Sequence, residues 1–99
     1  MPVVDTYRTN DGRGYFTFCF VEEGSYWRVD IERMPSFGGR SSGLHDTHRL
    51  PSSTAGTGYK ICFDDPYEAY SLERAQKFSE AWAEAVWEWI KTGYRINGF

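Results

Sequence analysis

The chain has 99 residues, room for one domain around one core and too little for a doubly wound nucleotide-binding fold or a barrel enzyme. A formal charge of −3 and a pI near 5.3 exclude a strongly basic nucleic-acid coat and a polybasic membrane anchor. With 40% hydrophobic and 18% aromatic residues, the composition is that of a globular domain rather than a disordered segment.

The start, Met1-Pro2-Val3-Val4-Asp5, shows neither the basic region nor the apolar run of a secretory signal. No apolar stretch nears the ~18 residues that span a bilayer. A cytoplasmic protein without membrane attachment is the expectation. Residues 1–14 are polar and end in Asn10-Asp11-Gly12-Arg13-Gly14, which is turn chemistry; they are expected to be irregular.

Tyr15-Phe16-Thr17-Phe18-Cys19-Phe20-Val21 follows, aromatic and β-branched, as strands are. Side chains alternate along a strand, so Phe16, Phe18 and Phe20 share one face. Glu22-Glu23-Gly24-Ser25 reads as a hairpin connector. In Tyr26-Trp27-Arg28-Val29-Asp30-Ile31-Glu32-Arg33 the alternation places Trp27, Val29 and Ile31 on a buried face. It places Arg28, Asp30 and Glu32 on a wet one. Met34-Pro35 ends this strand. Ser36 to Gly43 is a flexible, glycine-rich loop, Leu44 to Leu50 reads as a third strand, Pro51 to Gly58 as a Ser/Thr/Gly loop, and Tyr59 to Phe63 as a short strand. Cys19 and Cys62 lie in apolar runs and read as reduced, buried small hydrophobes.

The last third reads as a helix. Leu72, Ala75, Ser79, Trp82, Val86, Trp89 and Ile90 recur at three- and four-residue spacing, flanked by Phe78 and Ala85, and form one apolar stripe. Glu73, Lys77, Glu80, Glu84, Glu88 and Lys91 lie opposite. Either Ser71 caps the start, or Asp65-Pro66-Tyr67-Glu68 does; Gly93 fits the left-handed C-cap. From Ser71 to Thr92 such a helix measures ~33 Å, longer than the strands beneath it, so part of it overhangs the sheet or packs on a partner. The expected fold is α+β, a single domain over 1–99. A three- or four-stranded antiparallel meander (15–63) carries one long C-terminal helix (66–92) on its apolar face.

Charge is uneven along the chain: residues 1–25 carry net −2, residues 26–60 net +2, and residues 61–99 net −3. The basic middle holds Arg33, Arg40 and Arg49 together with both histidines, His45 and His48. His45-Asp46-Thr47-His48-Arg49 has the residue types of a general acid–base site. Yet each cysteine stands alone in its own strand, without the paired spacing of zinc ligands. On a strand the two histidines would also point to opposite faces. No catalytic set, metal or cofactor is expected. Gly38 and Gly43 have the outer spacing of a phosphate loop, but Leu44-His45 stands where Lys-Ser/Thr would touch phosphate; a generic anion nest aided by Arg40 is what the segment offers. Seven Tyr, seven Phe and four Trp exceed what one small core uses. Trp87, on the polar side of the helix, is the clearest surplus and reads either as an interface residue or as a ring covered by the N-terminal segment or Tyr94.

The Trp27-Arg28-Val29-Asp30-Ile31 strand and the Ser71-Leu72-Glu73-Arg74-Ala75 helix start, within a sheet followed by one helix over about residues 15–92, resemble the AP2-like and integrase arm-type DNA-binding domains. That resemblance implies a sheet face, away from the helix, that enters the major groove. The alternation puts Asp30 and Glu32 on this face, where carboxylates meet phosphates unfavourably. The run from Ile31 to Arg40, with Leu44 to Leu50, also resembles small bacterial proteins of no assigned function, implying a self-standing bacterial domain.

Together these readings point to a small non-enzymatic binding or assembly domain. It would act through a protein–protein interface, with another protein or as a homodimer. The alternatives are a nucleic-acid or anion binder using Arg33, Arg40, His45, His48 and Arg49, and a phage- or mobile-element-type inhibitor of a host enzyme. An enzyme comes last.

Overall fold

The computed structural model describes residues 2–96 of the chain. Five antiparallel strands form one sheet: β1 (Val3–Arg8), β2 (Tyr15–Glu22), β3 (Trp27–Arg33), β4 (Arg49–Pro51) and β5 (Tyr59–Ile61), in the spatial order β1-β2-β3-β5-β4. A four-residue helix α1 (Leu44–Thr47) precedes β4, a 3-10 turn covers Pro66–Ala69, and the long helix α2 runs Leu72–Thr92. This is the α+β class read from the sequence, with a long helix over an antiparallel sheet.

The long helix does not begin at residue 66 as expected: residues 66–69 form a separate 3-10 turn, and the two caps read as alternatives each open their own element. The Asp65 carboxylate accepts from Tyr67 N–H to open the 3-10 turn. The Ser71 hydroxyl accepts from Arg74 N–H to open α2. Gly93, at φ 81°, closes α2 in the left-handed conformation, which glycine adopts without steric cost.

The core lies between the inner sheet face and α2. Phe16, Phe18 and Phe20 of β2 and Val29 and Ile31 of β3 are buried against Ala75, Trp82, Ala83 and Val86 of α2. The Trp82 indole stands edge-on to Phe16 and Phe18, with centroids 5.9 and 6.0 Å away, the geometry that ring quadrupoles favour.

Three further expectations are corrected. Residues 3–8 are a strand, not irregular chain: Val3, Asp5 and Tyr7 stand opposite Phe20, Phe18 and Phe16. The sheet therefore has five strands, not three or four. Leu44–Thr47 is a helical turn rather than the start of a strand, and the chain reverses at His48, which adopts φ 50° and ψ 53°. The outer sheet face is not wet throughout, because the chain from Ser52 to Gly58 folds back over it. Asp30 is 1% exposed, and its oxygens accept from Ser52 Oγ at 2.8 Å, Thr54 Oγ1 at 2.6 Å and Arg28 Nε at 3.1 Å. Gly56 reaches so close to β3 that a Cβ there would lie 2.6 Å from the Glu32 carbonyl oxygen. Its N–H donates to the Glu32 carboxylate.

Candidate functional site

The four tryptophans divide into two kinds. Trp82 Nε1 donates to Thr47 O at 3.1 Å, Trp89 Nε1 to Ser41 O at 3.0 Å, and Trp87 Nε1 to the Asp11 carboxylate at 2.8 Å. Each of these rings fixes a loop onto α2. The overhang of the long helix is thus covered by the chain's own loops, the 41–47 segment on one side and the Thr9–Gly14 turn on another. Trp87, the surplus ring of the helix, belongs to that turn. Asp11 also accepts from Lys91, Arg13 N–H and Thr9 Oγ1. These donors, Trp87 and then Lys91 first, hold its carboxyl well below the usual carboxylate range. Trp27 is the exception: among the described residues its Nε1 donates to no acceptor.

Trp27 lines a groove of about 250 Å³ with Tyr26, Arg28, Leu50, Lys60, Ile61 and Phe63. The topology explains the opening. β2 accompanies β3 down to the Glu22–Trp27 pair. β5 pairs only with Asp30 and Ile31. Beyond Ile61 the chain turns aside, with Cys62 N–H donating to His48 O, so the first residues of β3 lose their neighbour on that side. The groove fills the gap. Its inner wall is aromatic, and Leu50, 43% exposed, stands at its outer lip. Tyr67 extends the surface edge-on to Tyr26 at 5.9 Å, and Phe63 meets Phe78 at 5.3 Å. Arg28 is held at the rim by Glu23 and Asp30. Lys60 makes no ion pair among the described residues.

Two of the arginines singled out in the basic middle segment are engaged within the fold. Arg49 is 6% exposed and lies between the rings of Phe37 and Tyr59, 4.9 and 4.3 Å from their centroids. It donates to Thr47 Oγ1 and Ser42 O, and burial lowers its pKa. Arg40 donates to Ile90 O at the C-terminal end of α2, where a cation meets the negative end of the helix dipole. Arg33, at the end of β3, and His45, in α1, are exposed, and His48, in the turn between α1 and β4, is half-buried. Asp46 accepts from Ser41. Cys19 and Cys62 are free thiols, half-buried rather than buried, and burial, with Glu32 and Asp30 nearby, raises the Cys19 pKa. Among the described residues no three His, Cys, Asp or Glu side chains gather as a metal set, and no helix is long and apolar enough to cross a membrane.

No family model, curated protein or solved structure matches this chain. None of the residues lining the groove is among the binding residues singled out in the sequence. The one signal available was the adjacent Tyr26-Trp27 pair at a strand start: alternation sends Trp27 inward, but nothing in it shows that β5 stops short.

Proposed function

We propose that the protein is a non-enzymatic binding domain whose groove takes an aromatic or aliphatic side chain of a partner protein, beside a carboxylate of that partner. The observation that carries this reading is Trp27. Among the described residues it is the one tryptophan whose indole N–H donates to no acceptor, and it lines an open groove with Tyr26, Ile61, Phe63 and Leu50. Tryptophan and tyrosine in a pocket with arginine at the rim is the composition of interface hot spots. Lys60 supplies the positive charge that a neighbouring carboxylate would meet.

Selection of a random peptide library on the wild-type protein tests this, with Leu50→Asp as the counter-target. The exposure of Leu50 makes that variant well tolerated in folding. The expected winners carry an aromatic residue next to Asp or Glu, shift the Trp27 indole resonance, and lose at least tenfold in affinity on Leu50→Asp. Winners that bind Leu50→Asp equally, or no enrichment at all, overturn the reading.

A further inference from the structure

At the far side of the sheet from the groove, β1 is an edge strand of six residues, and among the described residues no strand pairs with its outer side. The register fixes which backbone groups face outward. Thr9 N–H donates to Gly14 O, continuing the β1–β2 ladder in which Tyr7 stands opposite Phe16 and Asp5 opposite Phe18. By alternation, Val3, Asp5 and Tyr7 spend their amides on β2. The N–H and C=O groups of Val4, Thr6 and Arg8 point away from the sheet. Such an edge is a template for another strand.

The side chains along this edge select what is added. On the inner side Asp5, Gln76 and Glu80 line a small notch of about 30 Å³. Asp5 accepts from Gln76 Nε2 at 3.3 Å, and Glu80 adds a small part to the rise in the Tyr7 pKa that burial and Glu84 chiefly cause. The neighbouring cation, Lys77, is drawn to Glu73. On the outer side β1 presents Val4, 64% exposed, and Thr6. A residue opposite Asp5 in an antiparallel pair would occupy a non-hydrogen-bonded site, where side chains come closest.

We infer that the β1 edge accepts an extended segment of another protein as a sixth strand, with Lys or Arg opposite Asp5 and β-branched residues on the alternate positions. A second copy of this chain fits poorly. Antiparallel self-pairing about Asp5 sets Asp5 against Asp5, and pairing about Thr6 brings the two Glu80-lined margins together. An inward-pointing charge on an edge strand opposes self-association, and here it admits a basic strand instead. The inference is independent of the groove around Trp27.

The test uses two synthetic seven-residue peptides, one alternating valine with lysine and one alternating valine with glutamate, added to the full chain while amide exchange is followed by NMR. With the lysine peptide, exchange at Val4 and Thr6 is expected to slow at least tenfold, while Asp5 and Tyr7, already bonded to β2, change little. The effect should fade at high salt and weaken at least tenfold in Asp5→Asn/Glu80→Gln, whose fold is checked by the unchanged spectrum of the core. The inference is overturned if no protection appears at Val4 and Thr6, if the glutamate peptide protects them equally, or if the double variant binds as well. Sedimentation showing a dimer that protects these amides without peptide also overturns it, in favour of a second copy.

Discussion

The inner face of the sheet is closed by rings: Phe16, Phe18 and Phe20 pack under Trp82, and the contact is hydrocarbon against hydrocarbon. The outer face above β3 and β5 is closed by hydroxyls: Ser52 and Thr54 converge on the Asp30 carboxylate, and Thr57 Oγ1 donates to Ile31 O at 2.6 Å. The first closure gains from any apolar area it removes from water. The second holds only while each partner is present, because a buried polar group left unpaired costs more than a made hydrogen bond contributes. The two halves of one short strand, β3, thus face different physics on alternate residues.

Removing the ring closure should have the larger effect. Trp82 is fully buried, and Trp82→Ala removes its packing on two phenylalanines and its anchor to Thr47 O. Substitutions of this kind cost about 3–5 kcal/mol, a large share of the stability of so small a domain. Urea denaturation should show a midpoint lowered accordingly, or no folded baseline. A loss under about 1 kcal/mol would mean that the helix is not the principal cover of the sheet.

Breaking the hydroxyl closure should cost less and act more locally. Asp30→Ala leaves the Ser52 and Thr54 hydroxyls and the Arg28 guanidinium without their shared acceptor. The expected destabilisation is about 1–3 kcal/mol, with amide exchange accelerated over 54–58 more than at Phe18 or Val86. Uniform acceleration across the core would show that the two closures form a single cooperative unit.

What the sequence revealed follows the same division. Period-two alternation in Trp27–Arg33 and helical spacing from Leu72 to Ile90 record apolar burial, so the β2–β3 hairpin, the helix, its Ser71 cap and the Gly93 stop are all legible, whereas Asp65, read as the alternative cap, opens only the preceding 3-10 turn. The fate of Asp30 is not legible. Its alternation marks it as outward, and only the return of the 52–58 loop, a tertiary event, buries it. β1 carries no local mark of a strand, because its alternate residues Val3, Asp5 and Tyr7 mix apolar and charged side chains, which an edge strand tolerates. For the same reason nothing local marked Asp5 as a selecting group. Arg40 and Arg49 looked available because charge in a glycine-rich stretch usually is; two aromatic rings and a helix terminus engage them instead. The Trp27 groove was hidden because it arises from the length of β5, which Tyr59–Phe63 does not disclose.

A third kind of closure, the tie between the N-terminal strand and α2, sharpens the comparison through pH, and here the smallest effects are expected. The Tyr7 hydroxyl donates to Glu84. Burial first, then this bond and the charges of Glu84 and Glu80, push its pKa from 10.0 up to about 12. A raised folded value means stability that is fully present below pH 10 and lost as pH climbs toward 12. Asp11 has the opposite sign. Its carboxyl is held below its ordinary 3.8, so its contribution is present above that pH and lost as acid protonates it. Lys91, raised chiefly by its hydrogen bond to Asp11, adds a second decline at alkaline pH. Tyr7→Phe should therefore cost about 1 kcal/mol at neutral pH and flatten the stability profile between pH 10 and 12. Asp11→Asn should flatten it below pH 4 while leaving the contribution of Tyr7 in place. Denaturation midpoints measured from pH 2 to 12 on both variants separate the two ties. An acid limb unchanged in Asp11→Asn would place the acid sensitivity elsewhere and leave Trp87 held by packing alone, which would align this region with the ring closure of the inner face rather than with the carboxylate-centred closure around Asp30.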